Sequence, residues 1–338
     1  YKDVVALLKV TKLIHRSRPD IVHSHTSKAG SVSRVAAFFC NILRSKKIVV
    51  IHTFHGNVLY GYFGPIKSFM ILMIERCLAM VTDRIIAISE SQKWELSSFY
   101  KICKPNKIDT IKLGFNLNPF LNCNRQRGRL RSKLGISPDS VLIGIVGRMA
   151  PIKNHKMFLD SAKLLMKKSN NKPLKFILVG DGEERTFLES YVQSIGLTNH
   201  IVFHGWEKNI SMIYADLDIV ALTSVNEGTP VSVIEAMASK VPVVTTGVGG
   251  IKDLLGRIES LQPNRKEIFK ICQRGILCPK NDPNTFSDAL AYMINSEYLS
   301  SRTRFANAQD YVLKNYSVDR LILDMESLYE KLLIDNKV

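Results

Sequence analysis

Residues 222–255 read LTSVNEGTPVSVIEAMASKVPVVTTGVGGIKDLL, which predicts a loop, a short helix and a strand in succession. Glu227 lies in the predicted loop, and Glu235 follows eight positions later on the predicted helix. The helix ends near Ser239, and Val241–Val244 (VPVV) is a short apolar run of the kind that is buried in a parallel sheet. A strand that follows a helix so closely indicates an α/β fold.

The start of this helix is a candidate anion site. Thr229 is typical of an N-cap and Pro230 of the first helical position, where a missing N–H costs nothing. Free amides of Val231 and Ser232 would then point outward and could hold an anionic group. Two carboxylates beside a bound phosphate make sense only if each has a separate partner. The alternative, more common for an isolated Glu-x7-Glu, is a loop Glu and a solvated helical Glu.

The succession of Glu-Gly, EAMA, PVV and a double glycine in this stretch resembles the donor-site signature of family 4 (group 1) glycosyltransferases. The resemblance extends over nearly the whole chain. It implies the GT-B fold, in which two Rossmann-like, doubly wound parallel-sheet domains face a cleft. It also implies a retaining enzyme that moves a sugar from a nucleotide diphosphate donor, a UDP-sugar, to a glycan or lipid-linked acceptor in cell-surface polysaccharide or glycolipid synthesis.

Two cations follow the predicted strand 141–146. Arg148 and Lys153 lie in GIVGRMAPIKNH (144–155), just beyond the strand end, where open α/β sheets bind ligands. Together they could neutralise a diphosphate, or they could be two solvated loop residues. The resemblance implies that both grip the donor's diphosphate, with Gly147 beside the donor. It also implies that the reaction needs no metal.

The resemblance assigns further roles within the quoted stretch and to one histidine. Glu227 would contact the donor near its sugar and phosphate. Donor-binding contacts are implied for Gly228, Thr229, Pro230, Val231 and, through ribose hydroxyls, Glu235. His55 in HTFHGN would face the cleft and hydrogen-bond the sugar or a phosphate. Without the resemblance, a capping or packed histidine is the more common interpretation of His55, and His23 and His25 are similar but weaker candidates.

The motif VGDGEER (179–185) offers Gly180 and Gly182 after a predicted strand, as a dinucleotide-binding loop does. Arg185 stands where the third glycine of that fingerprint belongs. We therefore predict a structural turn here and no nicotinamide site.

The chain has 338 residues, of which 46% are hydrophobic, so it is long enough for two domains. No apolar run reaches the length of a bilayer span. The six cysteines include no C-x2-C pair, which favours reduced cysteines in a cytoplasmic protein and argues against a zinc site.

The net charge is +17, and its excess lies in the N-terminal part. Residues 1–115 carry +11 (18 basic minus 7 acidic), and the remainder carries +6 (29 minus 23). Nucleic acid, an anionic membrane surface and phosphorylated substrates all suit such a charge. Because the chain contains no nucleic-acid motif, we expect no nucleic-acid partner.

Alternating strands and helices predict the domain organisation. We expect an N-terminal, acceptor-side domain at 1–115, a linker at 116–139 that is rich in arginine and proline, a nucleotide-sugar-binding domain at 140–315, and a last helix within 316–338 that crosses back to the first domain. The predicted strands are 21–23, 48–51, 84–88 and 107–111, then 141–146, 175–179, 201–203, 219–222 and 241–244. Since the chain starts in a helix, we expect roughly 60–80 preceding residues, about two βα units, so that the first domain is incomplete. The charged insertion 256–274 is assigned no role.

The segment Pro65–Met80 (PIKSFMILMIERCLAM) is a strongly apolar predicted helix. Burial in the core is the more common fate of such a helix, but its basic domain also makes docking on the inner face of a membrane plausible. Two alternatives to sugar transfer stay open. A nucleotide-sugar epimerase shares the fold, and an incomplete chain could bind nucleotide without catalysis.

Overall fold

The computed structural model of the protein describes residues 2–42, 44–56, 64–168, 172–261, 269–295 and 302–336. The chain forms two compact units. The first comprises Tyr1–Gly114 with Val318–Val338, and the second comprises Phe115–Ser317. Each unit is organised around one largely parallel sheet, which confirms the predicted α/β class.

The first unit is built on four parallel strands in the order β1-β2-β3-β4. These strands are β1 (Ile21–His25), β2 (Val49–Phe54), β3 (Arg84–Ala87) and β4 (Ile108–Thr110). The helices are α1 (Lys2–Ser17), α2 (Ser27–Ile42), α3 (Pro65–Met80), α4 (Glu90–Trp94), which continues as a π-helical turn at Glu95–Phe99, and the last helix of the chain, α14 (Val318–Asp335). All four strands of the sheet were predicted from the sequence.

Strand β2 is covered on both faces. Val49 and Ile51 pack with Leu328 and Leu332 of α14, whereas Val50 packs in the cluster formed by α1 and α2. Successive side chains of a strand point to opposite faces, so one strand contributes to two clusters. Helix α14, predicted to cross back to the first domain, is part of the first unit.

A buried ion pair joins α2 to α3. Arg34 is fully buried, and its Nη2 donates to Oε2 of Glu75 at 2.8 Å. Its Nε donates to the carbonyl of Gly30 at 3.1 Å. Burial lowers the pKa of Arg34, and the attraction of Glu75 opposes that change. Because two desolvated charges depend on each other, this pair fixes how α3 packs against α2.

The outer face of α3 departs from the expectation of core burial. The buried residues of α3 are Glu75, Leu78 and Ala79, while five apolar side chains earlier in the helix are 41–76% exposed. These exposed residues are Ile66, Phe69, Met70, Met73 and Ile74. They share one face because their spacing follows the helical repeat. No helix in the described ranges is long and apolar enough to cross a membrane.

The second unit has an eight-stranded sheet in the order β10-β11-β12-β9-β8-β5-β6-β7. Its strands are β5 (Val141–Val146), β6 (Leu174–Val179), β7 (Ile201–Gly205), β8 (Ile219–Leu222), β9 (Val243–Thr246), β10 (Ile258–Leu261), β11 (Lys270–Cys272) and β12 (Gly275–Cys278). Its helices are α5 (Asn118–Leu121), α6 (Arg129–Leu134), α7 (His155–Met166), α8 (Arg185–Ser194), α9 (Ile210–Asp216), α10 (Val231–Ala238), α11 (Ile251–Leu255), α12 (Pro283–Asn295) and α13 (Arg302–Tyr316).

Strand β5 pairs with β6 on one side and with β8 on the other, both in parallel. From β5, the strands β6 and β7 extend the sheet in one direction. From β8, the strand β9 and those after it extend the sheet in the opposite direction. Ligands of open α/β sheets bind beyond the carboxyl ends of the strands where this reversal occurs. The charged insertion 256–274 lies at the far edge, where β10 and β11 form an antiparallel hairpin; residues 262–268 lie outside the described part.

The predicted linker 116–139 is not a separate segment, because it is folded into the second unit. The carboxylate of Asp216, which is fully buried, accepts hydrogen bonds from the backbone N–H groups of Gly128, Leu130 (2.7 Å) and Arg131 (3.1 Å) at the start of α6. Arg131 is itself buried, and its Nη2 donates to Asp218 Oδ2 at 2.6 Å. Of the arginines that suggested a linker, Arg131 serves a buried anchor.

The chain enters and leaves the second unit at neighbouring positions. Phe115 forms a parallel bridge with Ser317, and its N–H donates to the carbonyl of Tyr316 at 2.8 Å. The first and last residues of this unit therefore lie side by side.

Candidate functional site

The carboxyl ends of β5 and β8 bring two loops together. Lys153 belongs to the loop after β5, and Glu227 belongs to the loop after β8. The loops are tied through their backbones, since Val225 N–H donates to the carbonyl of Ile152 at 2.9 Å. The sequence predicted both charged residues at this edge, and the structure places them in contact.

Lys153 and Glu227 form an ion pair. Lys153 Nζ donates to Glu227 Oε1 at 2.6 Å, and Ser224 Oγ donates to the same oxygen at 2.6 Å. Within the described ranges, Glu227 Oε2 has no hydrogen-bond partner. The Lys153 and Glu227 side chains are 24% and 10% exposed. Both charges are thus partly withdrawn from water, which makes their fields stronger than those of a surface pair.

Arg148 differs from Lys153 in having no such partner. Its side chain is exposed, and it makes no hydrogen bond or ion pair with the residues that the structure describes. Arg148, Lys153 and Glu227 together carry one positive charge in excess. Gly147, the predicted donor contact before Arg148, lies next to the lysine stem, since a Cβ there would make an ordinary contact of 3.8 Å with Lys153 Cε. The edge is therefore suited to an anionic ligand.

The start of α10 corrects one prediction. The helix begins at Val231, with Pro230 as its N-cap in an extended conformation (ψ 116°), and no side chain caps it. Thr229, predicted as the N-cap, is buried, and its hydroxyl has no hydrogen-bond partner in the described part of the chain. The loop is held from another direction, since Gly250 N–H donates to the carbonyl of Gly228 at 2.8 Å.

Gly249 explains why glycine follows β9. Its φ is +52°, and a Cβ at this position would lie 1.7 Å from the carbonyl oxygen of Glu227. Any other residue would be strained and would push the Glu227 loop away. The double glycine of the sequence motif is thus a packing requirement of that loop.

Glu235 is on α10, where Tyr214 Oη donates to its Oε2 at 2.9 Å. Tyr214 is buried. Burial raises the pKa of Glu235, and the hydrogen bond from Tyr214 lowers it in part. Burial, followed by the charge of Glu235, raises the pKa of Tyr214 well above its usual value. Tyr214 therefore stays protonated and fixes one carboxylate oxygen, an arrangement suited to a carboxylate that accepts hydroxyl hydrogen bonds.

The GDG turn is structural, as predicted. The φ of Gly180 is +131°, and a Cβ there would lie 2.1 Å from the carbonyl oxygen of Gly147. A Cβ at Gly182 would lie 2.4 Å from the carbonyl oxygen of Met149. These glycines let the turn pack against the loop that carries Arg148.

Four histidines gather at the carboxyl ends of β1 and β2 in the first unit. His25 Nδ1 and His55 Nε2 share a hydrogen bond of 2.8 Å, and both rings are exposed. The His23 ring lies between Thr53 Oγ1 and Tyr329 Oη, each at 2.7 Å, and burial lowers its pKa to about 4. His55, the predicted site residue, thus has one ring nitrogen occupied by His25. Burial, followed by His25, lowers the pKa of His55.

His52 is the fourth histidine, and it is buried. Its Nδ1 lies 3.0 Å from Ser24 Oγ, and burial is the first cause that lowers its pKa to about 3. Among the described residues, no three His, Cys, Asp or Glu side chains are close enough together to hold a metal ion. The metal-free reaction stays a prediction from the resemblance.

The partners of the predicted residues, except His25, were missed in the sequence. Tyr214 lies 21 positions from Glu235, and nothing in that spacing connects them. Ser224 and Thr223 had a visible signal, since two hydroxyl residues follow the apolar run IVAL of β8 at the strand end where ligands bind. His25 had the signal of a second histidine two positions from His23 on one strand face.

Two family models match the chain. The model for glycosyl transferases group 1 matches residues 126–310, and the model for glycosyltransferase family 4 matches residues 1–118. Among curated relatives, the UDP-Gal:α-D-GlcNAc-diphosphoundecaprenol α-1,3-galactosyltransferase of Escherichia coli is 26% identical over 99% of this chain and 81% of that protein. The capsular polysaccharide biosynthesis glycosyltransferase CapM of Staphylococcus aureus is 27% identical over 100% of this chain and 83% of that protein.

Solved structures show the same fold. Anabaena HepE, crystallised in complex with UDP, superimposes with a TM-score of 0.78 at 22% identity, covering 96% of this chain and 82% of that one. Sucrose-phosphate synthase from Thermosynechococcus elongatus superimposes with a TM-score of 0.74 at 20% identity, covering 94% of this chain and 74% of that one. The predicted GT-B fold of two Rossmann-like domains is confirmed. Because the group 1 model alone matches more than half of the chain, the protein belongs to the group 1 glycosyl transferases and is a glycosyltransferase of the GT-B fold.

Proposed function

We propose that the protein transfers a sugar from a nucleotide diphosphate donor, a UDP-sugar, to a glycan or lipid-linked acceptor in cell-surface polysaccharide or glycolipid synthesis. The observation that carries this proposal is the cation Arg148, which has no partner among the described residues and lies on the same loop as Lys153 of the Lys153–Glu227 pair, at the carboxyl end of β5. The named substrates of the E. coli relative and the UDP bound to HepE support the same donor and acceptor classes.

In this reaction Arg148 and Lys153 bind the diphosphate and stabilise the charge that develops on it as the sugar departs. The amides at the start of α10, from Gly228 to Val231, bind a phosphate. Glu235, held by Tyr214, accepts hydrogen bonds from the ribose hydroxyls. The second unit therefore binds and orients the leaving group of the reaction.

Glu227 contacts the donor near its sugar and phosphate in this proposal, through Oε2, which has no hydrogen-bond partner within the described ranges. His55 remains the residue of the first unit that is predicted to contact the sugar. For a retaining transfer, the acceptor oxygen attacks the anomeric carbon on the face from which the diphosphate leaves. The bond to the diphosphate breaks, and a phosphate oxygen takes the acceptor's proton.

A panel experiment tests the proposal. The protein is incubated with UDP-glucose, UDP-galactose and UDP-N-acetylglucosamine, each with undecaprenyl-diphosphate-linked N-acetylglucosamine as acceptor, and the anomeric configuration of the product is read by NMR. We expect transfer with retention from at least one donor, also in excess EDTA, because side-chain cations hold the diphosphate. An epimerised free donor formed without acceptor would favour the epimerase alternative. Loss of transfer in EDTA with recovery in Mg²⁺ would contradict the metal-free reaction.

We further propose that the exposed apolar face of α3 docks on the cytoplasmic face of a membrane with anionic lipids. This face presents Ile66, Phe69, Met70, Met73 and Ile74. Residues 1–115 carry a net charge of +11. Apolar burial and attraction to anionic headgroups together support such surface binding.

Co-sedimentation with vesicles of phosphatidylglycerol and phosphatidylcholine tests the docking surface. We expect the double variant Phe69→Ser with Ile74→Ser to lose vesicle binding. The control variant Trp206→Ser changes an aromatic residue that is 76% exposed in the second unit, and it should bind as the wild type does. Equal binding by the α3 variant would exclude this face.

A further inference from the structure

Two consecutive hydroxyl residues, Thr223 and Ser224, stand between the strand β8 and the Glu227 loop. Both are fully buried. A buried hydroxyl is stable only with a hydrogen-bond partner. The partners of these two hydroxyls lie in the two loops that carry the ion pair.

Thr223 holds the loop of Lys153. Its Oγ1 lies 2.9 Å from the carbonyl of Asn154 and 3.1 Å from the carbonyl of Lys153, so the hydroxyl donates into that turn. The next hydrogen bond along the chain, from Val225 N–H to Ile152 at 2.9 Å, ties the same turn. The Lys153 backbone is therefore fixed to the end of β8, and its ammonium group moves only by side-chain rotation.

Ser224 holds the carboxylate of Glu227. Its hydroxyl donates to Oε1 at 2.6 Å, and its own carbonyl accepts a hydrogen bond from Thr246 Oγ1 at 2.6 Å. The serine is thus anchored by β9 while it anchors Glu227. Because Oε1 receives both Ser224 and Lys153, the carboxylate is oriented with Oε2 left for another partner.

We propose that Thr223 and Ser224 are positioning residues that set the separation of the Lys153 ammonium and the Glu227 carboxylate and turn Glu227 Oε2 toward the donor. Neither residue touches the reacting atoms. The proposal rests on the proposed sugar transfer and deepens it. The neutral side chains of Thr223 and Ser224 thus act through the ion pair and determine how fast the bound donor reacts.

The test uses hydroxyl deletions in the whole chain. Ser224→Ala should lower kcat by about 10- to 100-fold, the effect of one hydrogen bond to a charged group, while the affinity for UDP measured by calorimetry changes less than about threefold. Thr223→Val should weaken UDP binding and lower kcat, because it frees the Lys153 backbone. Thr223→Ser keeps the hydroxyl and should restore both.

The matched control is Ser161→Ala. Ser161 is also fully buried in the second unit and donates to a backbone carbonyl, that of Met157, at 2.7 Å. This variant also loses a buried serine hydroxyl, but one that does not contact the ion pair. Its kcat and UDP affinity should equal those of the wild type. A loss for Ser161→Ala as large as that for Ser224→Ala would overturn the proposal.

A double-mutant cycle separates positioning from general support of the fold. In the Glu227→Ala background, Ser224→Ala should cause no further loss of kcat, since its partner is gone. An undiminished further loss would overturn the positioning role.

The proposal remains testable if the proposed function fails. If the wild type neither binds UDP nor transfers sugar, the function is wrong, and the same cycle is then measured on the free energy of unfolding. Non-additive Ser224→Ala and Glu227→Ala changes would support the contact on which positioning depends, and additive changes would overturn it. If the wild type transfers sugar and Ser224→Ala has the same kcat, the positioning role is wrong and the proposed function stands.

Discussion

Lys153 carries its charge in a pair, whereas Arg148 carries its charge alone among the residues that the structure describes. In the free protein, the charge of Arg148 is therefore available to an anionic ligand, whereas the charge of Lys153 is partly neutralised by Glu227. Removing the carboxylate and removing a cation should have opposite effects on nucleotide binding. Affinity and turnover need not change together, because an interaction can favour the bound ground state without favouring the transition state.

Replacement of Glu227 by Gln tests this charge balance. We expect Glu227→Gln to raise UDP affinity by about 3- to 10-fold, since one nearby negative charge is lost, and to lower kcat. Arg148→Ala should lower UDP affinity instead. Calorimetric titration with UDP measures both. Weaker UDP binding by Glu227→Gln would show that the carboxylate attracts the nucleotide through hydrogen bonds more than it repels the phosphates.

The two cations should differ in their effect on stability. Arg148→Ala and Lys153→Ala should each lower turnover by tens- to thousands-fold, about 2–4 kcal/mol of lost transition-state stabilisation. Lys153→Ala also leaves Glu227, 10% exposed, without its cation, which should reduce the free energy of unfolding by about 1–2 kcal/mol. Arg148→Ala should change it by less than about 0.5 kcal/mol. Urea unfolding measures the free energy of unfolding of both variants. Equal values would contradict a stabilising Lys153–Glu227 pair.

The sequence predicted the charged residues of the candidate site but not their partners. Arg148, Lys153 and Glu227 were identifiable because each follows a predictable strand end. Tyr214 was not, because its hydrogen bond to Glu235 joins two helices and depends on packing that a sequence does not show. Thr229 was misassigned because the residue before a helical proline usually caps the helix, whereas here Pro230 itself keeps an extended ψ.

Among the elements, α2 and α3 are joined by charges that water does not reach. The Arg34 and Glu75 side chains are 0% and 4% exposed, and Arg34 Nη1 has no hydrogen-bond partner in the described part of the chain. A buried pair of this kind contributes little net stability over an apolar pair, but either charge alone is costly. The two helices are therefore interdependent.

Single and double substitutions distinguish these contributions. Arg34→Met should lower the free energy of unfolding by about 3–5 kcal/mol, because Glu75 is left buried and unpaired. Adding Glu75→Leu should recover most of that loss. Lys46→Met, which breaks an exposed pair with Asp20, should cost less than about 1 kcal/mol. A double variant as unstable as Arg34→Met would show that packing, not the lone charge, causes the loss.

At this scale the strands were more predictable than the short helices. All nine strands predicted from apolar runs are present, although their ends differ by a few residues. The helices α6 and α9 were missed because each is only six or seven residues long and is stabilised by contacts with the other, through Asp216. Strand β12 was missed because a short run, GILC, follows a charged insertion that gave no periodic pattern.

For the whole molecule, two buried histidines, His52 and His155, and the half-buried His23 make stability depend on pH. Burial is the first cause that lowers the pKa values of His23 and His155 to about 4 and that of His52 to about 3, from 6.5. His155 is buried, and both its ring nitrogens lack partners in the described ranges. Because these pKa values are depressed in the folded state, the unfolded state binds more protons below pH 6.5. The stability that the neutral rings provide is complete above pH 6.5 and is lost as the pH falls toward 4.

We expect the free energy of unfolding to fall with decreasing pH below 6.5, by up to about 1.4 kcal/mol per pH unit for each of these histidines. Urea unfolding at pH 7, 6 and 5 measures the slope. His155→Met should flatten it, because the group that must be protonated is removed. His15→Gln, which changes an exposed histidine of α1, should leave the slope unchanged. An identical slope in all three proteins would assign the pH dependence to other groups.

The bridge between Phe115 and Ser317 has a consequence for how such chains diversify. Since the entry and exit of the second unit are adjacent, a gene segment that encodes residues 115–317 specifies a closed module. Recombination at its two borders would replace residues 115–317 as one segment. Inheritance can thus change the second unit in one event while the rest of the chain is kept.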